Sequence, residues 1–160
     1  LHSLNDNQKQ KAILLAEKKF SYAKAEAFKD NETIPFTGIS AQSFTSLQTE
    51  LLVDLIEEYI GNMRPQHAEI KMTEVQNHLP ETWFSWIGGT TEDAVFYYQI
   101  HSPVLLIEYD HHSPVFVVKP GETANDPVNW HVHTVVRTPN GNDYGKDLLR
   151  QHLSKHHSHD

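Results

Sequence analysis

The chain has no cysteine among its 160 residues. That absence removes disulfide scaffolds, thiolate zinc sites, iron–sulfur clusters and cysteine nucleophiles together. Long apolar runs are missing too. No stretch approaches the ~18 residues of a membrane helix, so a membrane is not an expected partner. Basic residues are scarce: 13 Lys and Arg stand against 21 Asp and Glu, for a formal net charge of −8. A chain this acidic repels phosphate backbones, so nucleic acid is not an expected partner either. The sequence also lacks a G-x-S-x-G elbow, a phosphate loop, a G-x-G-x-x-G turn and an H-E-x-x-H helix.

Histidine is abundant instead. There are 12, more than the 7 Phe or the 6 Tyr, and most fall after residue 110: His111, His112, His131, His133, His152, His156, His157 and His159. Protonating them all would carry the net charge past zero, so mild acid changes this surface heavily. Hydrophobic residues make up 38% and charged residues 21%, a globular balance, and the length suits one domain. The first residue is Leu1 rather than Met, which reads as a processed product or a fragment. Removal of a leader would make the protein secreted or periplasmic.

The period of the apolar residues changes midway. Asn5 or Asp6 can cap a helix running to about Phe20, with Ala12, Leu15, Ala16 and Phe20 on one stripe. Phe44, Leu47, Leu51, Leu55 and Tyr59 recur at three and four, predicting a second helix that stops at Gly61-Asn62. A third is expected to start at Pro65 and end before Pro80. From there the runs 83–86, 94–101, 104–110 and 129–137 are short and rich in aromatic and branched residues, as strands are. Val115-Phe116-Val117-Val118, between two proline turns, reads as a short edge strand. A last helix is expected over about 146–157. The expectation is therefore an α+β domain spanning 1–160: N-terminal helices over about 1–80, a small antiparallel β-sheet over about 82–137, and a C-terminal helix closing it. The helices should cover the sheet face bearing Trp130, Val132 and Val136.

Period two places the candidate chemistry. His131, His133, Val135 and Arg137 share one face of their strand, and Trp130, Val132, Thr134 and Val136 share the other. Two imidazoles at i and i+2 sit ~6–7 Å apart at the backbone, near enough to reach one metal ion. Glu108 and Asp110 share a face of the preceding strand, and pairing the two strands by their apolar faces turns Glu108 toward the histidines. Two imidazoles and a carboxylate form a standard metal shell with positions left open. The plainer alternative is a pair of exposed strand histidines. Arg137 could clamp an acidic substrate group, or pair with Asp143 or Asp147. His152 could reach the sheet from the last helix as a further ligand, or serve as a cap. His111 and His112 read as loop residues, and His156, His157 and His159 as a tail that takes up metal adventitiously. The aromatic group Trp83, Phe84, Trp86, Phe96, Tyr97 and Tyr98 suits sheet packing more than a carbohydrate platform.

Longer strings carry a resemblance. Phe84-Ser85-Trp86-Ile87-Gly88-Gly89, Tyr97-Tyr98-Gln99-Ile100 and Leu106-Ile107-Glu108-Tyr109-Asp110 are followed by His131-Val132-His133 with Arg137. Asp143-Tyr144-Gly145-Lys146-Asp147-Leu148-Leu149 and His152 complete the pattern. It resembles the family catalogued as domain of unknown function 3500, whose members end in H-x-H, Arg, D-[FY]-G-x-D-x-L and a closing His. Members of that family are usually longer, so the resemblance implies the C-terminal half of such a protein, completed by a missing N-terminal half or by a second copy as a homo-oligomer. It also points to Glu108, His131, His133, Arg137, Asp143, Asp147 and His152 as the residues to watch for a site, without naming a reaction.

The expected function is metal binding, with a transition metal (zinc, copper or iron) on His131 and His133. Glu108 would be a third ligand or general base, and His152 a further ligand. In an enzyme, hydrolytic or oxidative, Arg137 would anchor a small or carbohydrate-like substrate. The alternatives are a binding module without turnover, and a structural fragment whose polar residues form an ion-pair network.

Overall fold

A computed structural model describes residues 1–24, 33–139 and 152–154. Helix α1 (Asp6–Ala12) opens with a reciprocal cap in which the Asn5 and Gln8 side chains each accept the other's backbone N–H at 2.9 Å. The helix does not run on to Phe20. Ile13 turns extended, and β1 (Ile13–Leu15) pairs in parallel with a later strand. Leu15 and Phe20, assigned by periodicity to a buried helical stripe, are 49% and 69% exposed. Pairing with a sheet that lies 70 residues downstream overrode the local helical pattern.

Strand β2 (Ile39–Ser40) follows, and then α2 (Ser46–Ile60) and α3 (Pro65–Asn77), close to where periodicity put them. Thr45 and Gln48 cap α2 as Asn5 and Gln8 cap α1, and the two glutamine amides bond to each other at 2.9 Å across the helices. Strands β3 (Trp83–Gly88), β4 (Phe96–His101), β5 (Leu106–His111) and β6 (Val132–Arg137) form an antiparallel meander. The sheet order is β1-β3-β4-β5-β6, with β2 also on β3. β2 enters beside Gly38, whose φ of +89° and whose position 2.1 Å (for an added Cβ) from the Phe84 carbonyl oxygen demand glycine. The class is α+β.

The three helices pack on one sheet face, where Ile56, Ile60, Ile100 and Ile107 are fully buried. Each such side chain contributes roughly 1.5–3 kcal/mol. Trp86, Tyr98 and Tyr109 stack in a row across three strands of this face, and the Tyr59 hydroxyl of α2 meets that of Tyr98. The aromatic group is therefore largely sheet packing. The helical cover stops short of β6: Trp130 and Val136, expected beneath it, are each 39% exposed. Residues 115–118 form no strand and no sheet pairing; they lie in the β5–β6 connection with Phe116 96% exposed. Proline on either side, at 114 and 120, keeps this short run from extending into a ladder. Of the expected closing helix, residues 152–154 are helical, and the rest lies outside the described residues, as do Asp143, Asp147, His156, His157 and His159.

None of α1, α2 and α3 packs on the opposite face of the sheet. Two extended pieces of chain, residues 18–24 and 33–38, cross it instead.

Candidate functional site

Strand register sets three rows of side chains on that second face. The first is Ile87, Tyr97, Asp110 and His133; the second is Ser85, Gln99, Glu108 and Val135; the third is Trp83, His101, Leu106 and Arg137. Beyond the first row the β5–β6 pairing continues, with the His112 N–H donating to the His131 carbonyl at 2.8 Å. His131 and His133 therefore do share a face, and Glu108 lies on it. The residue directly across from His133 is Asp110, whereas Glu108 stands across from Val135.

Both carboxylates are fully buried. Asp110 accepts from the Tyr22 and Ala23 backbone N–H groups at 2.6 and 2.9 Å, and its other oxygen lies 2.7 Å from the buried Lys18 ammonium. Glu108 accepts from the Lys24 N–H through both oxygens, at 2.9 and 3.0 Å, and from the Tyr97 hydroxyl at 2.7 Å. Burial, reinforced by the neighbouring Glu108 charge, holds the Tyr97 phenol protonated far above its ordinary range, which suits a donor. Glu108 and Asp110 thus fasten residues 22–24 to the sheet by three successive amides. Charged oxygens buried this deeply require such partners.

The histidines gather at the end of the face. The His131 and His133 Nε2 atoms are 3.2 Å apart. Two ligands at zinc distances of 2.0–2.1 Å with a tetrahedral angle between them would be separated by about 3.3 Å. The Nδ1 of His131 lies 2.6 Å from the Ser113 carbonyl oxygen, which can only accept, so Nδ1 carries a hydrogen and the neutral ring has its lone pair on Nε2. A carbonyl behind the far nitrogen is the usual support for a metal-binding histidine. His112 stacks on His133 with ring centroids 3.8 Å apart and planes 18° apart. Its Nδ1 meets the Ser21 hydroxyl at 3.1 Å and its Nε2 lies 3.3 Å from Asp110.

Sequence reasoning missed His112 by treating it as a loop residue. Carrying period two onward from Glu108 and Asp110 reaches it at the next step, on the same face. Arg137 is half-buried and four residues along β6 from His133, ~13 Å at the usual strand rise. His152 is an exposed residue of the helical turn at 152–154. Among the described residues, no third His, Asp or Glu joins the pair in a set of three placed to hold an ion.

Ser21, His112 and Asp110 also follow the order of a nucleophile, base and carboxylate. The amides next to Ser21 that would have to cradle an oxyanion, those of Tyr22 and Ala23, already bind Asp110. The set suits a structural tie better than acyl transfer. No helix among the described residues is long and apolar enough to cross a membrane.

No curated protein and no solved structure matches the chain. A family does, over residues 1–146, which takes in the helical first part and most of the strings that carried the resemblance, and ends before Asp147, Leu148, Leu149 and His152. The chain belongs to the family described as Protein of unknown function (DUF3500).

Proposed function

We propose that the protein binds one transition-metal ion between His131 and His133. The observation that carries this is the convergence of two Nε2 atoms at ligand–ligand separation, one of them held in the metal-binding tautomer by the Ser113 carbonyl. An ion on two imidazoles keeps positions open for water and a small or carbohydrate-like substrate, so metal-dependent hydrolysis or oxidation is the activity such a centre supports. Arg137, on the same face, is the cation that an acidic group of a substrate would meet. In this reading Glu108 holds the crossing segment rather than the ion, because Lys24 and Tyr97 already occupy its oxygens.

Elemental analysis tests the proposal. His156, His157 and His159 are replaced by Gln to remove background uptake, and His131→Ala and His133→Ala are compared in that form. One equivalent of metal should survive loss of the tail and vanish with either strand substitution. Full occupancy in both Ala variants would leave the imidazole pair as ordinary surface histidines. The polar face would then be what its burial also supports: a network built on Lys18, Asp110 and Glu108 whose work is to hold the fold.

A further inference from the structure

We infer that His112 is a positioning residue for the ion, and that through it ion binding fastens residues 18–24 over the sheet. This deepens the metal reading of His131 and His133 and rests on it.

His112 touches three things at once. Its ring lies against His133, one edge meets Ser21 in the crossing segment, and the other edge meets Asp110, which anchors that segment. His133 must hold its ring plane for its Nε2 to converge with that of His131. The ring face of His112 at 3.8 Å restricts that plane, and Ser21 and Asp110 in turn restrict His112.

The crossing segment is poised to respond. It is attached mainly by polar contacts: three backbone amides and the Lys18 ammonium, all on two carboxylates of β5. Lys18, Tyr22 and Ala23 are its inward side chains, while Phe20 is 69% exposed and Ser21 and Lys24 face solvent. Segments with few apolar contacts sit at the low end of local stability, where small free energies change how often they open. An ion that fixes His133 favours the His112 orientation that receives Ser21. By linkage, a fastened segment then favours the ion to the same degree.

Amide hydrogen exchange with and without zinc reads this directly, using the full chain with the three tail histidines replaced by Gln. A peptide from α2 serves as the control for folding, and chelator competition gives zinc affinity. Zinc should slow exchange at residues 22–24 about fivefold or more and leave α2 unchanged. His112→Phe keeps a ring against His133 but cannot bond Ser21 or Asp110, so it should bind zinc within about threefold of the parent and lose the slowing. His112→Ala loses the stack as well, and its affinity should fall about tenfold or more, the usual scale for a support behind a ligand. Ser21→Ala, at an exposed position, removes the same bond from the other side and should reduce the slowing without disturbing α2.

One equivalent of zinc bound with exchange at 22–24 unchanged would overturn this inference and leave the metal site standing. Slowing undiminished in both His112→Phe and Ser21→Ala would show that His112 is not the connection. Absence of zinc uptake by the parent protein would overturn the metal reading itself.

Discussion

Replacing Asp110 by Asn tests the buried pair at its centre. The Asp110 carboxylate and the Lys18 ammonium are 2.7 Å apart, and neither side chain has any solvent exposure. Asn keeps an oxygen for the Tyr22 and Ala23 amides, so the substitution isolates the loss of charge. It leaves the Lys18 ammonium inside the protein with its counter-charge gone. Breaking one side of such a pair costs about 3–5 kcal/mol. At about 2–4 °C per kcal/mol for a chain of this length, the melting temperature should fall by about 6–20 °C. The low end applies if residues 18–24 lift away and let Lys18 reach water. The assay is urea unfolding together with a thermal melt of four proteins: parent, Asp110→Asn, Lys18→Met, and the two substitutions combined. The double variant has no buried charge left at this point and should recover to within about 1–2 kcal/mol of the parent. A loss below about 1 kcal/mol for Asp110→Asn alone would refute the claim that this ion pair secures the crossing segment.

Tyr97→Phe removes a hydrogen bond to a buried carboxylate and should cost about 1.5–3 kcal/mol in urea unfolding; a neutral result would mean that Glu108 is adequately held by the Lys24 amide and the Gln99 side chain. Gly38→Ala places a methyl group against the Phe84 carbonyl at positive φ, and a loss of at least about 1–3 kcal/mol is expected in the same assay. His101 is fully buried under the Phe36 ring, and burial pushes its pKa below the ordinary 6.5. The unfolded chain therefore takes a proton that the folded chain refuses, so this stability is present above pH 6.5 and declines as pH drops through that value. His101→Leu should make the fall between pH 7 and pH 5 shallower by up to about 1.4 kcal/mol per pH unit. Parallel curves for the two proteins would place the acid sensitivity elsewhere among the histidines.

Local pattern determined much of the framework. The three-and-four spacing from Phe44 to Tyr59 marks a helix and Pro65 suits the start of one, so α2 and α3 were legible without a partner in view. Even so, α2 buries the neighbouring stripe Gln48, Leu52, Ile56 and Ile60 and leaves Leu47 and Leu51 exposed. The meander was legible for the same kind of reason, since aromatic and branched runs separated by Gly88-Gly89 and Ser102-Pro103 have few other ways to pair. Alternation along a strand is geometrically rigid, and it put His131 and His133 on one face from the sequence alone.

What the sequence could not determine depends on partners far away along the chain. Residues 13–15 carry a helical pattern, but the free edge of β3 draws them into the sheet. Residues 18–24 contain no motif at all, yet their amides become the partners of two buried carboxylates more than 80 residues later. Only the tertiary structure could show that Glu108 binds this segment instead of standing open beside the histidines. Register decided the rest: with Asp110 across from His133, the next step of the ladder sets His112 across from His131, with its ring on His133. Spacing within a strand is a property of one peptide, whereas register is a property of two. The imidazole pair was therefore written in the sequence, and its surroundings were decided by the fold.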